Sequence, residues 1–291
     1  MTSLRSSESL FFPVRGLRYH VRRWAREGAP KMVLLHGWMD VSASFQFLVD
    51  ALRGEWDVYA PDWRGYGLTE WGKADCYWFP DYIADLDFLL DYIDPAPINL
   101  VGHSLGGNVA TLYGGVRPLR IAKLVNLEGF GLPPTRPEDA PKRYARWLDE
   151  LRDRPGLRPY KSFAELAERL CKGNKRLSPR RAEFLARHWG REAEDGSVVL
   201  CGDPAHKIVN PVLYRYEEVR ACWQRVTAPV LWVDAAESET LARMRMDPAG
   251  QAERRAAFAN LRHVTLPEAG HMLHHDQPEA LAQLLEAFLS G

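Results

Sequence analysis

Residues 98–110 constrain the fold more than any other part of this chain. A short, mostly apolar run ends in Gly102-His103-Ser104-Leu105-Gly106, and an apolar, helix-compatible run follows over residues 108–113. This order predicts a strand, a very tight turn with a serine at its apex, and a helix. Glycine two residues before and after the serine suits such a turn, because a Cβ atom there would collide with the neighbouring strand or helix. The helix would direct its N-terminal N–H groups at Ser104, where negative charge develops during acyl transfer.

The composition is that of a globular protein with no polyanionic partner. Lys+Arg and Asp+Glu both number 38 in 291 residues, which gives zero formal net charge and a pI of about 7.1. Nothing here favours nucleic acid or an anionic membrane surface. No run approaches about 18 apolar residues, so we expect no transmembrane helix, and residues 1–9 are too polar for a signal peptide. Without metal-binding spacing, free thiols in a cytoplasmic protein are expected for Cys76, Cys171, Cys201 and Cys222.

Strand patterns recur along the chain, and polar residues follow several of them. Strands are predicted over residues 10–14, 17–24, 31–35, 56–60, 98–101 and 122–127, with helices over 44–52 and 79–93. This alternation predicts a mostly parallel sheet with helices on both faces. In such sheets the site lies at the carboxyl ends of the strands. The residues predicted to meet at that edge are His36, Asp62, Ser104 and Glu128.

The pattern changes at Pro133 and resumes near residue 226. Four prolines interrupt the chain between residues 133 and 141, and helical segments follow over about 142–152, 162–172, 178–189 and 212–226. The core pattern then returns with strands over 228–233 and 263–266 and helices over about 248–258 and 278–289. We therefore predict an α/β core, residues 1–132 and 226–291, with a helical insertion at 133–225.

A serine nucleophile needs a base within hydrogen-bond reach, and His271 is the leading candidate. It follows the last predicted strand, and the preceding glycine lets the loop turn and project the imidazole. His274 and His275 are rivals, but they begin the approach to the C-terminal helix, so we expect surface or packing roles for them. His103 lies beside the nucleophile and should point the opposite way, as a packed and hydrogen-bonded side chain.

Four segments together resemble the α/β-hydrolase superfamily, and within it the serine-hydrolase-like branch. They are Leu35-His-Gly-Trp-Met-Asp-Val-Ser-Ala-Ser-Phe45, Pro61-Asp-Trp-Arg-Gly-Tyr-Gly67, Gly102-His-Ser-Leu-Gly-Gly-Asn108 and Ala269-Gly-His-Met-Leu-His274. The resemblance implies the α/β-hydrolase fold, with the insertion as a helical cap that covers the site and shapes substrate choice. It also implies an oxyanion hole made by the backbone N–H groups of Trp38 and Leu105, and loop-packing roles for His36 and Asp62.

The sequence does not decide which carboxylate would orient the base. The resemblance implies an Asp after the seventh core strand, but the chain reads Val233-Asp-Ala-Ala-Glu-Ser-Glu239 there, with Ser238 where the Asp often sits. Some branches place the acid after the sixth strand, and that position is Glu128. It lies at an apolar strand end, where a buried carboxylate needs a charged or hydrogen-bonded partner. We favour Glu128, with Glu237 as the alternative acid and Asp234 as a third candidate.

These residues predict a serine hydrolase acting on a small or medium carboxylic ester, without a metal or an organic cofactor. The alternatives are a C–C bond hydrolase of the meta-cleavage type and a hydrolase-fold ligand-binding protein with little turnover. A serine at the apex argues against haloalkane dehalogenase and epoxide hydrolase chemistry, which need an Asp nucleophile. We expect a small-molecule substrate, a monomer or homodimer, and no nucleic-acid or membrane partner. The residues considered for an apolar pocket are Trp147, Trp189, Trp223, Trp232 and Met272.

Overall fold

The computed structural model describes residues 4–291, whose main body is one eight-stranded sheet. The strands are β1 (Glu8–Val14), β2 (Leu17–Trp24), β3 (Lys31–Leu35), β4 (Asp57–Pro61), β5 (Ile98–His103), β6 (Ile121–Leu127), β7 (Gly190–Glu192), β8 (Val198–Leu200), β9 (Val230–Ala235) and β10 (Leu261–Leu266). The sheet order is β1-β2-β4-β3-β5-β6-β9-β10, while β7 and β8 pair separately. Only β1–β2 and β2–β4 are antiparallel in this sheet. The predicted, mostly parallel α/β sheet is thus confirmed.

Helices connect the strands on both faces of the sheet. They are α1 (Gln46–Ala51), α2 (Phe79–Ile93), α3 (Leu105–Val116), α4 (Ala140–Arg152), α5 (Phe163–Gly173), α6 (Pro179–Trp189), α7 (Tyr216–Trp223), α8 (Thr240–Arg243), α9 (Pro248–Arg255), α10 (Leu273–Asp276) and α11 (Pro278–Ser290). Short 3₁₀ turns cover Ser42–Phe45, Pro118–Arg120, Pro137–Asp139 and Pro204–Lys207. Within residues 4–291, no helix has the length and apolar character needed to cross a membrane.

The helix predicted over residues 212–226 is shorter in the structure. Only Tyr216–Trp223 is helical, because the chain before it is held in a different conformation. The side chain of Asn210 accepts a hydrogen bond from the backbone N–H of Val212 at 2.8 Å. This Asx-type turn precedes the helix, which begins four residues later at Tyr216.

The central strands are continuous apolar runs because both of their faces are covered. In β3, Val33 and Leu35 pack into the core on the side of α2 and α3. Met32 and Leu34 alternate with them and pack on the opposite side, against α1 and α11. All four side chains are fully buried. Each such burial contributes about 1.5–3 kcal/mol, so the two apolar layers hold the strands and fix their register.

Residues 133–225, which we call the inserted segment, contain α4 to α7 and the β7–β8 pair. Part of it has an apolar core of its own, formed by Leu166 and Ala167 of α5, Ala182 and Leu185 of α6, and Val198 of β8. Phe47 of α1 belongs to the same cluster. The inserted segment is therefore packed onto the main body rather than held by its two chain connections alone.

His206 also joins the inserted segment to the main body. Its ring stacks between those of Tyr66 and Tyr77, with centroid separations of 3.8 Å on both sides. Its Nε2–H donates to the carbonyl of Arg64 at 3.1 Å, and its Nδ1 accepts from the Tyr82 hydroxyl at 3.3 Å. Both ring nitrogens are used by the neutral imidazole, and burial lowers the pKa of His206 to about 3.

The turn between β5 and α3, residues 102–106, is strained and tightly enclosed, and we call it the elbow. Ser104 has φ 53° and ψ −112°, a conformation that is costly for a residue with a side chain. A Cβ atom on Gly102 would meet the carbonyl of Gly106, and one on Gly106 would meet the carbonyl of Leu35. These obstacles are backbone atoms, which cannot move aside as a flexible side chain can. The predicted need for glycine at both positions is confirmed.

We expect Gly106→Ala to lower the free energy of unfolding by about 1–3 kcal/mol, because its methyl group would overpack the elbow against β3. The matched control is Gly156→Ala, since a Cβ atom at Gly156 has no described atom within 4 Å. That change should be neutral or stabilising by about 0.4–1 kcal/mol. Urea unfolding followed by circular dichroism measures both. Equal effects of the two substitutions would contradict the close packing of the elbow.

We expect stability to fall on acidification partly through His206. Its pKa is about 3 in the folded protein and about 6.5 in the unfolded chain, so between these values the unfolded chain binds more protons. Lowering the pH from 6.5 to 5 should then cost about 2 kcal/mol through this group, with no further loss below pH 3.

The variant His206→Phe keeps a stacking ring but has no titratable group. Its urea midpoint should be lower than that of the wild type at pH 7, because the Arg64 carbonyl loses its donor. Between pH 6.5 and 5, however, its stability should fall less steeply than that of the wild type. Parallel pH profiles for the two proteins would show that His206 is not held neutral by the fold.

Candidate active site

Ser104, His271 and Glu128 meet at the carboxyl edge of the sheet. His271 Nε2 lies 3.0 Å from Ser104 Oγ, and His271 Nδ1 lies 3.1 Å from Glu128 Oε2. A carboxylate can only accept, so this contact places the imidazole proton on Nδ1. Nε2 is then free to accept the proton of the Ser104 hydroxyl. The structure thus brings the three predicted residues into one hydrogen-bonded series.

The register of the sheet sets the positions of the serine and the carboxylate. The N–H of Ser104 donates to the carbonyl of Leu127 at 2.8 Å, and the N–H of Glu128 donates to the carbonyl of Val233 at 3.0 Å. Each bond continues the ladder of a parallel strand pair by one step beyond β5 or β6. Both residues therefore leave the sheet at the same edge, where β10 delivers the loop with the base.

The carboxylate of Glu128 is fully buried and well supplied with donors. Its Oε1 accepts the backbone N–H of Ala235 at 2.7 Å. Its Oε2 accepts both His271 Nδ1–H and the hydroxyl of Ser238. Ser238 stands where the resemblance implied an Asp, and its role as a donor to an acid on the neighbouring strand could not be derived from its spacing alone.

Asn126 supports the backbone turn that carries Glu128. Glu128 has φ 57°, in the left-handed region. The Asn126 side chain donates to the carbonyl of Gly129 at 2.8 Å and accepts the N–H of the same residue at 3.1 Å. These two hydrogen bonds span the turn and hold the unusual conformation in place. Asn126 was missed by the sequence reasoning, although an amide at the end of a buried strand was a usable signal.

The other two acid candidates have different partners. The side chain of Glu237 is 52% exposed and forms an ion pair with Arg176. Asp234 accepts hydrogen bonds from Trp232 Nε1 and His263 Nε2, both at 2.7 Å. Among the residues that the structure describes, neither carboxylate forms a hydrogen bond with the base. The carboxylate that contacts the base is that of Glu128, which follows β6, the strand next to β5.

The two backbone groups proposed for an oxyanion hole flank the serine. Leu105 is the first residue of α3, and both Trp38 and Leu105 line the same cavity as Ser104. Within residues 4–291, neither N–H donates to another protein group. Trp38 as a whole is 54% exposed, and its Nε1–H donates to the carbonyl of His206 at 3.3 Å. Trp38 thus contacts the inserted segment as well as the cavity.

His36 and Asp62 hold neighbouring loops together. His36 Nδ1–H donates to the carbonyl of Gly37, while its Nε2 accepts the N–H of Trp63 at 2.9 Å. Burial lowers the pKa of His36, so it stays neutral as this pattern requires. Asp62 accepts the backbone N–H of Ser42 at 2.6 Å and contacts further loop groups. These contacts fix the loop that carries Trp38.

His103, His274 and Asp40 form a buried polar cluster behind the elbow. His103 Nε2–H donates to the carbonyl of His271 at 2.7 Å, and burial lowers the pKa of His103 well below its usual range. His274 and His275 are both buried, so of the two roles expected for them packing is observed. The facing atoms of His274 and Asp40 are 3.8 Å apart.

A cavity of about 310 Å³ opens beside Ser104. Its apolar wall comes mainly from aromatic residues in the segment leading into α2 and in its first turn, namely Tyr77, Trp78, Phe79 and Tyr82. The inserted segment adds Arg143, His206 and Asn210. The cavity is at the lower end of the range of about 300–1,000 Å³ found for small-molecule sites. The wall was not predicted, because this segment shows no periodicity that marks it as a pocket.

The five residues considered for an apolar pocket, which helical spacing more often places in a core, do not line the cavity beside Ser104. Trp223 and Trp232 are fully buried in the main core, and Trp147 packs against the same core. Trp189 and Met272 line a separate cavity of about 270 Å³. Helix and strand periodicity directs these side chains toward apolar neighbours, and it says nothing about which apolar surface stays accessible.

Comparison with known proteins places the chain in a family. The family described as having the α/β hydrolase fold matches residues 30–278. A serine hydrolase-like protein of Danio rerio is 27% identical over 99% of this chain and 90% of its own length. The thioesterase domain from the curacin biosynthetic pathway has a TM-score of 0.86 at 23% identity, covering 96% of this chain and 99% of the domain. An esterase of Mycobacterium tuberculosis has a TM-score of 0.76 at 21% identity, covering 100% of this chain and 94% of its own. This chain belongs to the α/β-hydrolase superfamily, in its serine-hydrolase-like branch.

Proposed function

We propose that this protein is a serine hydrolase that acts on small or medium carboxylic esters. The observation that carries the proposal is the hydrogen-bonded series from Ser104 Oγ through the His271 ring to the buried Glu128 carboxylate. A nucleophile, a base and an orienting acid in this order are the parts that acyl transfer needs. The relatives named serine hydrolase-like protein and esterase are consistent with it.

In the proposed first half-reaction, Ser104 Oγ attacks the ester carbonyl while His271 Nε2 takes the hydroxyl proton. Glu128 keeps the other imidazole proton on Nδ1 and stabilises the imidazolium that forms. The carbonyl oxygen becomes negatively charged and accepts hydrogen bonds from the N–H groups of Leu105 and Trp38. The tetrahedral intermediate then collapses, and His271 gives its proton to the leaving alcohol.

In the second half-reaction, water replaces the alcohol. His271 Nε2 accepts a proton from the water as its oxygen attacks the acyl carbon, and the same two N–H groups stabilise the second oxyanion. Collapse returns the proton to Ser104 Oγ and releases a carboxylic acid. The strained backbone at Ser104 holds the nucleophile in place through both steps.

The size and chemistry of the cavity support a small or medium ester. A volume of about 310 Å³ with an aromatic wall suits a short apolar chain. We also propose that the core consists of residues 1–132 and 226–291, and that residues 133–225 act as a cap. Three cap residues, Arg143, His206 and Asn210, line the cavity beside Ser104, so the cap would shape substrate choice.

We expect a fluorophosphonate to label Ser104 covalently, with Oγ attacking phosphorus and fluoride leaving. Peptide mass spectrometry should find the adduct on this residue, and Ser104→Ala should remain unlabelled. The same two proteins should differ by at least about 10³-fold in hydrolysis of p-nitrophenyl butyrate. An intact wild-type protein whose Ser104 stays unlabelled would instead favour a ligand-binding role with little turnover.

We expect Glu128→Gln to lower kcat for p-nitrophenyl butyrate by about 10³- to 10⁴-fold. The glutamine keeps the size of the side chain but can donate an amide N–H to His271, which favours the wrong imidazole tautomer. The matched control is Glu237→Gln, whose exposed carboxylate pairs with Arg176 and should be dispensable within about twofold. A loss of activity in Glu237→Gln alone would transfer the role of the acid to that residue.

A further inference from the structure

The cavity beside Ser104 contains a single charged side chain. Among the described residues that line it, Arg143 of α4 carries a formal charge at neutral pH, whereas His206 is held neutral by its burial. The remaining polar groups are hydroxyls and amides, and the rest of the wall is largely aromatic or aliphatic. A lone cation in such surroundings creates a strong local preference for an anion.

The guanidinium of Arg143 is positioned but not neutralised. Its Nε–H donates to the backbone carbonyl of Asn210 at 2.8 Å, which fixes the orientation of the group. Within residues 4–291, neither Nη nitrogen donates a hydrogen bond and no carboxylate forms an ion pair with it. By contrast, Arg146 on the same helix is paired with Glu150 at 2.6 Å. The Nη atoms of Arg143 are therefore available to a ligand.

The electrostatic surroundings of the Arg143 guanidinium favour the binding of an anion. Burial lowers the pKa of Arg143, and the nearby charge of Arg146 lowers it further, while the carboxylate of Asp139 opposes these two effects without forming an ion pair. An arginine nevertheless stays protonated at neutral pH. Two factors thus raise the energy of the charged group, and an anion bound to its Nη atoms would offset both.

Resting on the function proposed above, we propose that Arg143 binds a carboxylate at the far end of the acyl chain of the substrate. The substrate class is then the half-esters of short dicarboxylic acids, with the ester carbonyl at Ser104 and the free carboxylate at Arg143. The guanidinium fork matches the two oxygens of a carboxylate. A phosphate monoester carries about −1.5 to −2 charges, and the described lining residues include no second cation to balance it.

The rest of the cavity fits the same substrate class. Its aromatic wall, which includes Trp78 and Phe79, suits the methylene spacer between the two ends. Its volume of about 310 Å³ limits the length of that spacer. We assign the cavity to the acyl part because the acyl group stays attached to Ser104 through both half-reactions.

The test compares esters that differ in one charge. The mono-p-nitrophenyl esters of succinic, glutaric and adipic acid are measured beside the corresponding methyl p-nitrophenyl diesters, with spontaneous hydrolysis subtracted. For the best chain length, wild-type kcat/KM should be at least about tenfold higher for the half-ester, mainly through a lower KM. In Arg143→Gln this preference should fall to about twofold or less, and Arg143→Lys should retain part of it.

The matched control is Arg146→Gln, which removes an exposed cation that is paired with Glu150 and does not line the cavity, so most of the preference should remain. The proposal is overturned if the wild type shows no preference for the half-esters, or if the preference survives in Arg143→Gln. An equal loss on both members of each ester pair would also overturn it, since Arg143 would then act on folding rather than on the anion.

A second measurement separates this proposal from the proposed function. Calorimetric titration of the Ser104→Ala protein with monomethyl glutarate and dimethyl glutarate needs no turnover. Binding at least about tenfold tighter for the monoester, lost in Ser104→Ala/Arg143→Gln, supports the anion site even if no ester is hydrolysed. Equal binding of the two ligands contradicts the anion site even if Ser104 reacts with a fluorophosphonate.

Discussion

The buried carboxylate of Glu128 is the interaction on which the site depends. A charge removed from water is very costly unless other groups replace its hydration. Here a backbone N–H from β9, the hydroxyl of Ser238 and the Nδ1–H of His271 supply that replacement. The three donors come from two separate chain segments, so satisfying one carboxylate also ties the end of β6 to the end of β9 and to the loop after β10. The geometry around Ser104 follows from this connection, because the imidazole is oriented by the same bond.

Two strained backbone positions lie side by side at this edge of the sheet. Ser104 and Glu128 follow adjacent parallel strands, and both have positive φ angles, 53° and 57°. Each such position costs about 1–3 kcal/mol and persists only where the surroundings enforce it. The enforcement differs between them: the elbow is enclosed by the backbone around Gly102 and Gly106, whereas the turn after β6 is spanned by the Asn126 side chain. Strained backbone is thus found at both points where these two side chains must leave the sheet at defined angles.

How well each part of the fold and of the site can be predicted depends on whether neighbouring residues in the sequence determine it. Apolar runs and the glycines around Ser104 are local signals, so the sheet, its helices and the elbow could be read from the sequence. The acid loop could be read only in part: Glu128 stood out as a polar residue at a buried strand end, but the donor role of Ser238 depends on pairing between distant strands. The wall of the cavity could not be predicted: Tyr77 lies in an irregular segment, and periodicity in the first turn of α2 does not show which apolar surface stays accessible. The open space of the cavity lies between the main body and the inserted segment, which contributes Arg143. No local sequence pattern encodes which surface remains open there.

The contacts that dock the inserted segment are also contacts that shape the cavity. His206 stacks on Tyr66 and Tyr77, donates to the main body and lines the cavity together with Tyr77. The Trp38 ring contacts the His206 carbonyl, while the backbone of Trp38 lies at the proposed oxyanion site. Separation of the segment from the main body would therefore break two ring stacks and both hydrogen bonds of the neutral His206 ring. It would open the wall of the cavity at the same time. Because the same groups serve docking and lining, the shape of the cavity depends on the stability of the docked segment.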